Sequence, residues 1–140
     1  MIINIPKNFG FFHFVGIGGI GMSGIAEILI KSGYRVQGSD VSSSKIIDRL
    51  ISLGVKTFIG HDKNNIKNAS IVVYSSAIKQ NNPEIVEAKK LFIPIIHRSE
   101  MLSELMKLKK SIAIAGTHGK TTTTSLISKI LDTNKMDPTI

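Results

Sequence analysis

Apolar residues along the chain fall alternately in short continuous runs and at the three- and four-residue spacing of a helix. The runs, each bounded by glycine or polar residues, predict strands at Phe11–Val15, Tyr34–Gly38, Lys56–Ile59, Ile71–Tyr74, Ile93–Ile96 and Ile112–Ala115. The helical spacing predicts helices that include Ile25–Leu29, Ile46–Ile51, Glu84–Leu91, Met101–Leu105 and Leu126–Leu131. Elements that alternate in this way predict an α/β fold: a Rossmann-like, mainly parallel sheet with helices on both faces.

Polar segments predict where the chain leaves this pattern. Met1–Gly10 has no period and is expected to be an arm, and Lys63–Asn68 is expected to be a surface loop. Leu108–Lys110 predicts a hinge between two domains, residues 1–107 and residues 108–140. The second would contain one predicted strand and one predicted helix.

A cluster of glycines follows the first predicted strand. Gly16, Gly18 and Gly21 complete a G-x-G-x-x-G pattern, and Asp40 comes nineteen residues later, at the end of the second strand. Such glycines let the backbone approach a pyrophosphate at a helix N-terminus, and the acid accepts a hydrogen bond from a ribose hydroxyl. The pattern therefore predicts a site for a nucleotide that carries a diphosphate.

A second glycine loop precedes the last predicted helix. It reads Gly116-Thr117-His118-Gly119-Lys120-Thr121-Thr122, with Ile114 where the strict Walker A pattern has its first glycine. A Gly-Lys-Thr core at a helix N-terminus is typical of nucleoside triphosphate binding, with Lys on the phosphates and the hydroxyl on Mg²⁺. We expect a nucleoside triphosphate to bind at this loop.

Other polar residues lie at predicted strand ends, where parallel sheets bind ligands. Ser75 and Ser76 are candidates for ligand hydrogen bonds, although helix capping accounts for them equally well. Arg98 suits a phosphate or carboxylate, or else an ion pair with Glu100 or Glu104. His13 lies inside a strand and is expected to be a buried structural histidine.

Composition narrows the functional classes. The net charge is +8 and the pI about 9.8, but fifteen of the eighteen basic residues are lysines spread along the chain, so we do not predict nucleic-acid binding. There is no cysteine, which excludes disulfides and thiolate metal sites. No apolar run is long enough to span a membrane, and a cytoplasmic protein is expected.

Taken together, these motifs resemble the Mur ligases, the ATP-dependent amide-forming enzymes of peptidoglycan precursor synthesis. The likeness runs from Phe11 to Ile140 and rests on Gly16–Gly24, Gly38–Asp40, Gly60–His61, Ser75–Ile78, His97–Leu102 and Gly116–Thr122. It implies that the diphosphate of a UDP-sugar is held by the N–H groups of Gly18, Gly19, Ile20, Gly21 and Met22. It also implies that the rest of that site is lined by Asp40, His61, Ser75, Ser76 and Arg98, with Asp40 and His61 near the uridine.

The resemblance further implies a reaction. ATP would be held by Gly116, Thr117, His118, Gly119, Lys120, Thr121 and Thr122, with Lys120 and Thr121 as the catalytic residues, on the phosphates and on Mg²⁺. The carboxylate of UDP-N-acetylmuramate would take the γ-phosphate, and the amine of L-alanine would attack the acyl phosphate to form an amide. The second domain would hold only the first strand, phosphate-binding loop and helix of an incomplete P-loop ATPase domain. Because family members are several times longer, the missing C-terminal domains of the same enzyme would be required, and this chain alone is expected to be inactive.

Two other functions fit part of the sequence. The first glycine loop with Asp40 would suit an NAD-dependent oxidoreductase, which would leave Gly119-Lys120-Thr121 without a role. A stand-alone UDP-sugar-binding module would use the first domain without ligation.

Overall fold

The computed structural model describes residue 6 and residues 8–140. The chain divides into two compact units, the first extending to Lys109 and the second running from Lys110 to Ile140. The arm predicted for residues 1–10 lies largely outside the described residues. None of the helices in the described part of the chain has both the length and the apolar character needed to cross a bilayer.

The first unit is built on a five-stranded sheet. Its strands are β1 (Phe11–Val15), β2 (Val36–Asp40), β3 (Lys56–Ile59), β4 (Ala69–Tyr74) and β5 (Ile95–His97). They lie in the order β3-β2-β1-β4-β5, and every neighbouring pair is parallel. This confirms the predicted α/β class and Rossmann-like sheet. The order reverses between β1 and β4, the position at which such sheets bind nucleotides.

Helices follow the strands as the apolar spacing predicts. They are α1 (Ile20–Lys31), α2 (Lys45–Ser52), α3 (Pro83–Lys90) and α4 (Arg98–Lys107) in the first unit, and α5 (Lys120–Thr133) in the second. Local chemistry fixes their starts: Ser44 caps α2 by accepting from the Ile47 N–H, and Asn82 caps α3 by accepting from the Glu84 N–H. Pro83 occupies the first turn of α3, where it has no helical N–H bond to lose.

The two faces of the sheet differ in polarity. On the face covered by α1, α2 and α4, the inward side chains are apolar: Phe12, Phe14, Val36, Ile71 and Val73. On the opposite face, apolar Val15 and Val72 pack with α3, but His13, Gln37 and Ser39 are also buried on β1 and β2. Both faces are therefore covered, and one of them contains polar groups that need partners.

The bounds of β2, β4 and β5 differ from the predicted strands by up to two residues. Two further predicted segments differ in kind. The surface loop expected at Lys63–Asn68 contains a 3-10 turn (Lys63–Ile66). The Asp62 carboxylate caps the start of this turn by accepting from the Asn64 N–H, and Ile66 is fully buried. Because the surrounding residues are polar, the burial of Ile66 was not predicted.

The strand predicted at Ile112–Ala115 is absent, and residues 110–116 have no regular secondary structure. A strand requires a neighbour for its N–H and C=O groups, and the described part of the second unit contains no other strand. The helix α5 is present as predicted, but none of its residues is buried.

Candidate functional site

The first glycine loop connects β1 to α1 and leaves helix N–H groups unpaired. Gly16 adopts a positive φ of 78°, and the N–H groups of Gly16 and Ile17 donate to the Ser39 carbonyl at 2.8 and 2.9 Å. Gly19 is the N-cap of α1 and offers no side chain to the first turn. The N–H groups of Ile20, Gly21 and Met22 therefore have no partner within the helix, which favours an anion at this end.

A cleft of about 370 Å³ opens beside this loop. Its lining comes from the glycine loop and from the chain after β2 and β4: Gly16, Gly18, Gly19, Met22, Asp40, Ser42, Ser44, Ser75, Ala77 and Ile78. The carboxyl ends of β1, β2 and β4 thus converge on one concave surface, at the point where the strand order reverses. Its position and its glycine wall suit a nucleotide diphosphate.

Asp40 supports the loop as well as lining the cleft. Its Oδ2 atom accepts a hydrogen bond from the Gly18 N–H at 2.8 Å. A Cβ atom at Gly18 would lie 2.9 Å from the same oxygen, so only glycine allows this approach. The Gly18 N–H, which the sequence analysis assigned to the diphosphate, is engaged by Asp40 in this structure.

The polar residues after β4 and β5 form a second cluster. The Ser76 hydroxyl lies 3.0 Å from His97 Nε2, and the Ser99 hydroxyl lies 2.7 Å from His97 Nδ1. Because His97 Nδ1 also accepts from the Ser99 N–H, Nε2 carries the proton and donates to Ser76. His97 thus caps α4 and does not act as a base on Ser76, which is left with its own proton to donate.

The structure excludes helix capping for Ser75 and Ser76 and shows where Arg98 lies. Neither serine caps a helix, since α3 begins at Pro83 and is capped by Asn82. Arg98 is half-buried against the glycine loop, where a Cβ atom on Gly21 would lie 3.0 Å from its Nη1 atom. The Glu104 carboxylate instead pairs with Lys107 at 2.6 Å.

A buried polar network that was not predicted from the sequence lies on the α3 face of the sheet. At its centre is Glu84, a charged residue of α3 that is fully buried. Its Oε2 atom lies 3.1 Å from His13 Nε2 and accepts from the Ser39 hydroxyl at 2.6 Å. Its Oε1 atom accepts from Asn65 Nδ2 at 2.6 Å and from the Asp62 N–H at 3.3 Å.

These donors keep the Glu84 carboxylate charged. Burial alone would raise its pKa, but hydrogen bonds from His13, Ser39 and Asn65 hold the pKa of Glu84 below its ordinary value. The structure confirms His13 as a buried structural histidine. Its Nδ1 atom faces the Gln37 amide at 3.2 Å, so both ring nitrogens have partners.

His61 is connected to this network and is absent from the cleft lining. It follows β3, and its Nδ1 atom lies 2.9 Å from the Ser39 hydroxyl. Its side chain is 15% exposed. Of the residues predicted for the UDP-sugar, Gly18, Gly19, Met22, Asp40 and Ser75 therefore line the cleft, whereas Ile20, Gly21, His61, Ser76 and Arg98 lie outside its lining.

Some of the missed residues left a signal in the sequence. His13, Gln37 and Ser39 are polar letters inside two strands, and the register pairs His13 with Gln37 and Val15 with Ser39. Polar residues at alternate positions on adjacent strands indicate a shared polar patch. Ser42 and Ser44 gave no comparable signal, because serines after a strand are common in loops.

The second glycine loop lies in the second unit and opens α5. Gly119 is its N-cap with a φ of 77°, a conformation that favours glycine. Lys120 Nζ donates to the Gly116 carbonyl at 2.5 Å, so the lysine folds back over its own loop. The first-turn N–H groups of Lys120, Thr121 and Thr122 have no intrahelical partner, which suits a phosphate.

Comparison with known proteins identifies the family of this chain. Residues 11–110 match the family model described as "Mur ligase family, catalytic domain". The UDP-N-acetylmuramate--L-alanine ligase of Cereibacter sphaeroides (strain ATCC 17025 / ATH 2.4.3) is 57% identical over 136 residues, which are 97% of this chain and 29% of that protein. The enzyme of the same name from Brucella ovis is 52% identical over 138 residues, which are 99% of this chain and 29% of that protein.

Solved structures give the same result. The UDP-N-acetylmuramate-alanine ligase of Thermotoga maritima superimposes with a TM-score of 0.81 at 36% identity, over 88% of this chain and 29% of that one. A murein peptide ligase from Psychrobacter arcticus also gives 0.81, at 30% identity, over 88% of this chain and 26% of that one. The chain thus spans about 29% of the length of the curated relatives it matches.

Proposed function

Because the chain belongs to the Mur ligase family, we propose that its first unit binds the UDP-sugar substrate of a UDP-N-acetylmuramate:L-alanine ligase and that its second unit begins the ATP-binding domain. The two domains proposed are residues 1–107 and residues 108–140, as predicted from the sequence. The observation that carries this proposal is the cleft at the N-terminus of α1, where unpaired helix N–H groups meet the ends of β1, β2 and β4.

The strand order β3-β2-β1-β4-β5 supports a layout for the ligand. The diphosphate would lie at α1, above β1, bound by the N–H groups of Ile20, Gly21 and Met22. The ribose would lie above β2 near Asp40, and the base above β3 near His61. On the other side, the sugar would extend above β4 and β5 toward Ser75, Ser76 and Arg98. The base, ribose, diphosphate and sugar, which follow one another in a UDP-sugar, would thus lie above successive strands of the sheet.

The second loop suits the nucleotide that such a ligase consumes. Lys120 would leave the Gly116 carbonyl for the phosphates of ATP, which a cationic ammonium attracts more strongly than a neutral carbonyl does. Thr121 would contribute its hydroxyl to Mg²⁺, and the α5 N–H groups would hold the β-phosphate. Bound Mg·ATP supplies the γ-phosphoryl group for the muramate carboxylate, and the charge on Lys120 reduces repulsion between these two anions.

L-alanine would then supply the amine of the new amide, in the synthesis of a peptidoglycan precursor. A cytoplasmic location follows from this proposal, since ATP and UDP-sugars are the required substrates.

Thermal unfolding of the chain tests the first half of the proposal. UDP-N-acetylmuramate, UDP-N-acetylglucosamine, NAD and NADP are compared in parallel. A ligand at 100 times its dissociation constant stabilises the folded state by about 2.7 kcal/mol, which a melting curve resolves. We expect stabilisation by both UDP-sugars, stronger with the muramate, and none by NAD or NADP.

Two variants sharpen this experiment. Arg98→Ala should reduce the stabilisation by UDP-N-acetylmuramate, whereas Lys120→Ala, in the second loop, should leave it unchanged and weaken ATP binding. Stabilisation by NAD alone would instead identify the cleft as a dinucleotide site and refute the UDP-sugar assignment.

A further inference from the structure

The Ser39 hydroxyl connects Glu84 to His61, and the charge on Glu84 fixes which atom donates in each of the two hydrogen bonds. Glu84 is ionised and accepts only, so the single proton of the Ser39 hydroxyl is committed to Glu84 Oε2 at 2.6 Å. The Ser39 oxygen then interacts with His61 Nδ1 at 2.9 Å as an acceptor. It follows that His61 Nδ1 carries a proton. The direct distance from His61 Nδ1 to Glu84 Oε2 is 3.6 Å, too long for a hydrogen bond, so Ser39 transmits the effect.

This assignment leaves the other ring nitrogen as an acceptor. In a neutral imidazole with Nδ1–H, the Nε2 atom has a lone pair and no proton. His61 Nε2 has no hydrogen-bond partner among the described residues and is not sealed from solvent. The ring sits beside the β2 and β3 ends, since Asp40 pairs with Ile59 and the Gly60 N–H donates to the Asp40 carbonyl at 2.7 Å.

His61 Nε2 thus presents a hydrogen-bond acceptor at this edge of the sheet. A ribose hydroxyl satisfies either kind of partner and does not discriminate. A pyrimidine base does: uracil carries an N–H at ring position 3, whereas cytosine has an acceptor there. A site built to accept an N–H leaves two acceptors facing each other when the base is cytosine, which is unfavourable.

We propose that Glu84, acting through Ser39, is a positioning residue that holds His61 in the Nδ1–H tautomer, so that His61 Nε2 accepts the ring N–H of uracil and selects uridine over cytidine nucleotides. This rests on the proposed function, because it places the base above β3. The buried network is then part of the specificity of the site as well as of the fold.

The tautomer is measured directly in the unmutated 140-residue chain. Two-dimensional ¹⁵N NMR of the histidine side chains distinguishes protonated from bare ring nitrogens. We expect His61 with a protonated Nδ1 and a bare Nε2, and a Ser39→Ala variant in which this preference is lost while Ser39→Thr retains it. A protonated Nε2 and bare Nδ1 in the unmutated chain would overturn the proposal without any variant.

Base selection is measured by titration with UDP and CDP. We expect the unmutated chain to prefer UDP by about tenfold, the effect of one hydrogen bond, and Ser39→Ala to lose most of that preference. Ser39→Thr should keep it, and Ser52→Ala, whose hydroxyl bonds the Arg49 carbonyl on α2, is the neutral control. Equal affinity for UDP and CDP in the unmutated chain, or an unchanged ratio in Ser39→Ala, would refute the inference alone.

Failure of the proposed function looks different. If the unmutated chain bound neither UDP nor CDP, the UDP-sugar site itself would be wrong and the role of His61 Nε2 in base selection would fall with it. The NMR result would still decide the tautomer.

Discussion

Gly38, in the middle of β2, has no room for a side chain. A Cβ atom there would lie 2.7 Å from the Phe14 carbonyl oxygen and 2.7 Å from Ile17 Cδ1. The obstacle is the backbone of β1 and the base of the glycine loop, which do not move without disturbing the cleft. This residue therefore connects the stability of the sheet to the shape of the site.

The Gly38→Ala variant should be less stable by about 1–3 kcal/mol, the usual cost of overpacking. Gly24 is the matched control, because a Cβ atom there meets nothing within 4 Å and the residue lies in α1. Gly24→Ala should gain up to about 1 kcal/mol from helix propensity. Urea unfolding measures both, and a Gly38→Ala variant as stable as Gly24→Ala would show that the sheet accommodates the methyl group.

Residues with a local signature could be predicted from the sequence, and residues that depend on the fold could not. The glycine loop and Asp40 follow a spacing rule, and the structure places both at the cleft. Glu84 lies in the short helix Pro83–Lys90, where four of the eight residues are charged, as in a helix at the protein surface. Only the packing of α3 over β1 and β2 brings His13 and Ser39 to its carboxylate, and no sequence period reports that contact.

Secondary-structure elements were predictable where neighbours along the chain determine them. The strands β1 and β3 have the predicted limits, and glycines with positive φ follow α1, α2 and β3 at Gly33, Gly54 and Gly60. The Ile112–Ala115 run has the same apolar character as β1, yet forms no strand. Apolar letters specify burial, whereas a strand also requires hydrogen-bonding partners, which the described part of the second unit does not supply.

Amide hydrogen exchange tests this difference between the two apolar runs. Amides of residues 12–15 in β1, which is flanked by β2 and β4, should exchange far more slowly than amides of residues 112–115. The helix α5 should show intermediate protection at most, since isolated helices of this length are marginal in water and it buries no residue. Protection of residues 112–115 equal to that of β1 would mean that the run forms a strand after all.

At the scale of the whole molecule, the buried carboxylate makes folding depend on pH. The folded-state pKa of Glu84 lies below the unfolded value of about 4.5, because burial is outweighed by hydrogen bonds from His13, Ser39 and Asn65. As the pH falls, the unfolded chain binds this proton first. The stabilisation is thus fully present above the unfolded pKa and is lost as the pH falls from there through the folded pKa.

We therefore expect the free energy of unfolding to decrease as the pH is lowered below about 5. Glu84→Gln should be less stable near neutrality by about 2–3 kcal/mol, since it leaves buried donors without their acceptor, and should lose part of the acid dependence. Glu87→Gln, on the same helix but half-buried, should follow the unmutated protein. Carbon-13 NMR titration of the Glu84 carboxyl in the unmutated chain measures the pKa directly, so the prediction stands even where Glu84→Gln does not fold. A Glu84 pKa above the ordinary glutamate value would contradict it, and would also remove the fixed direction of the hydrogen bonds from Ser39 to His61.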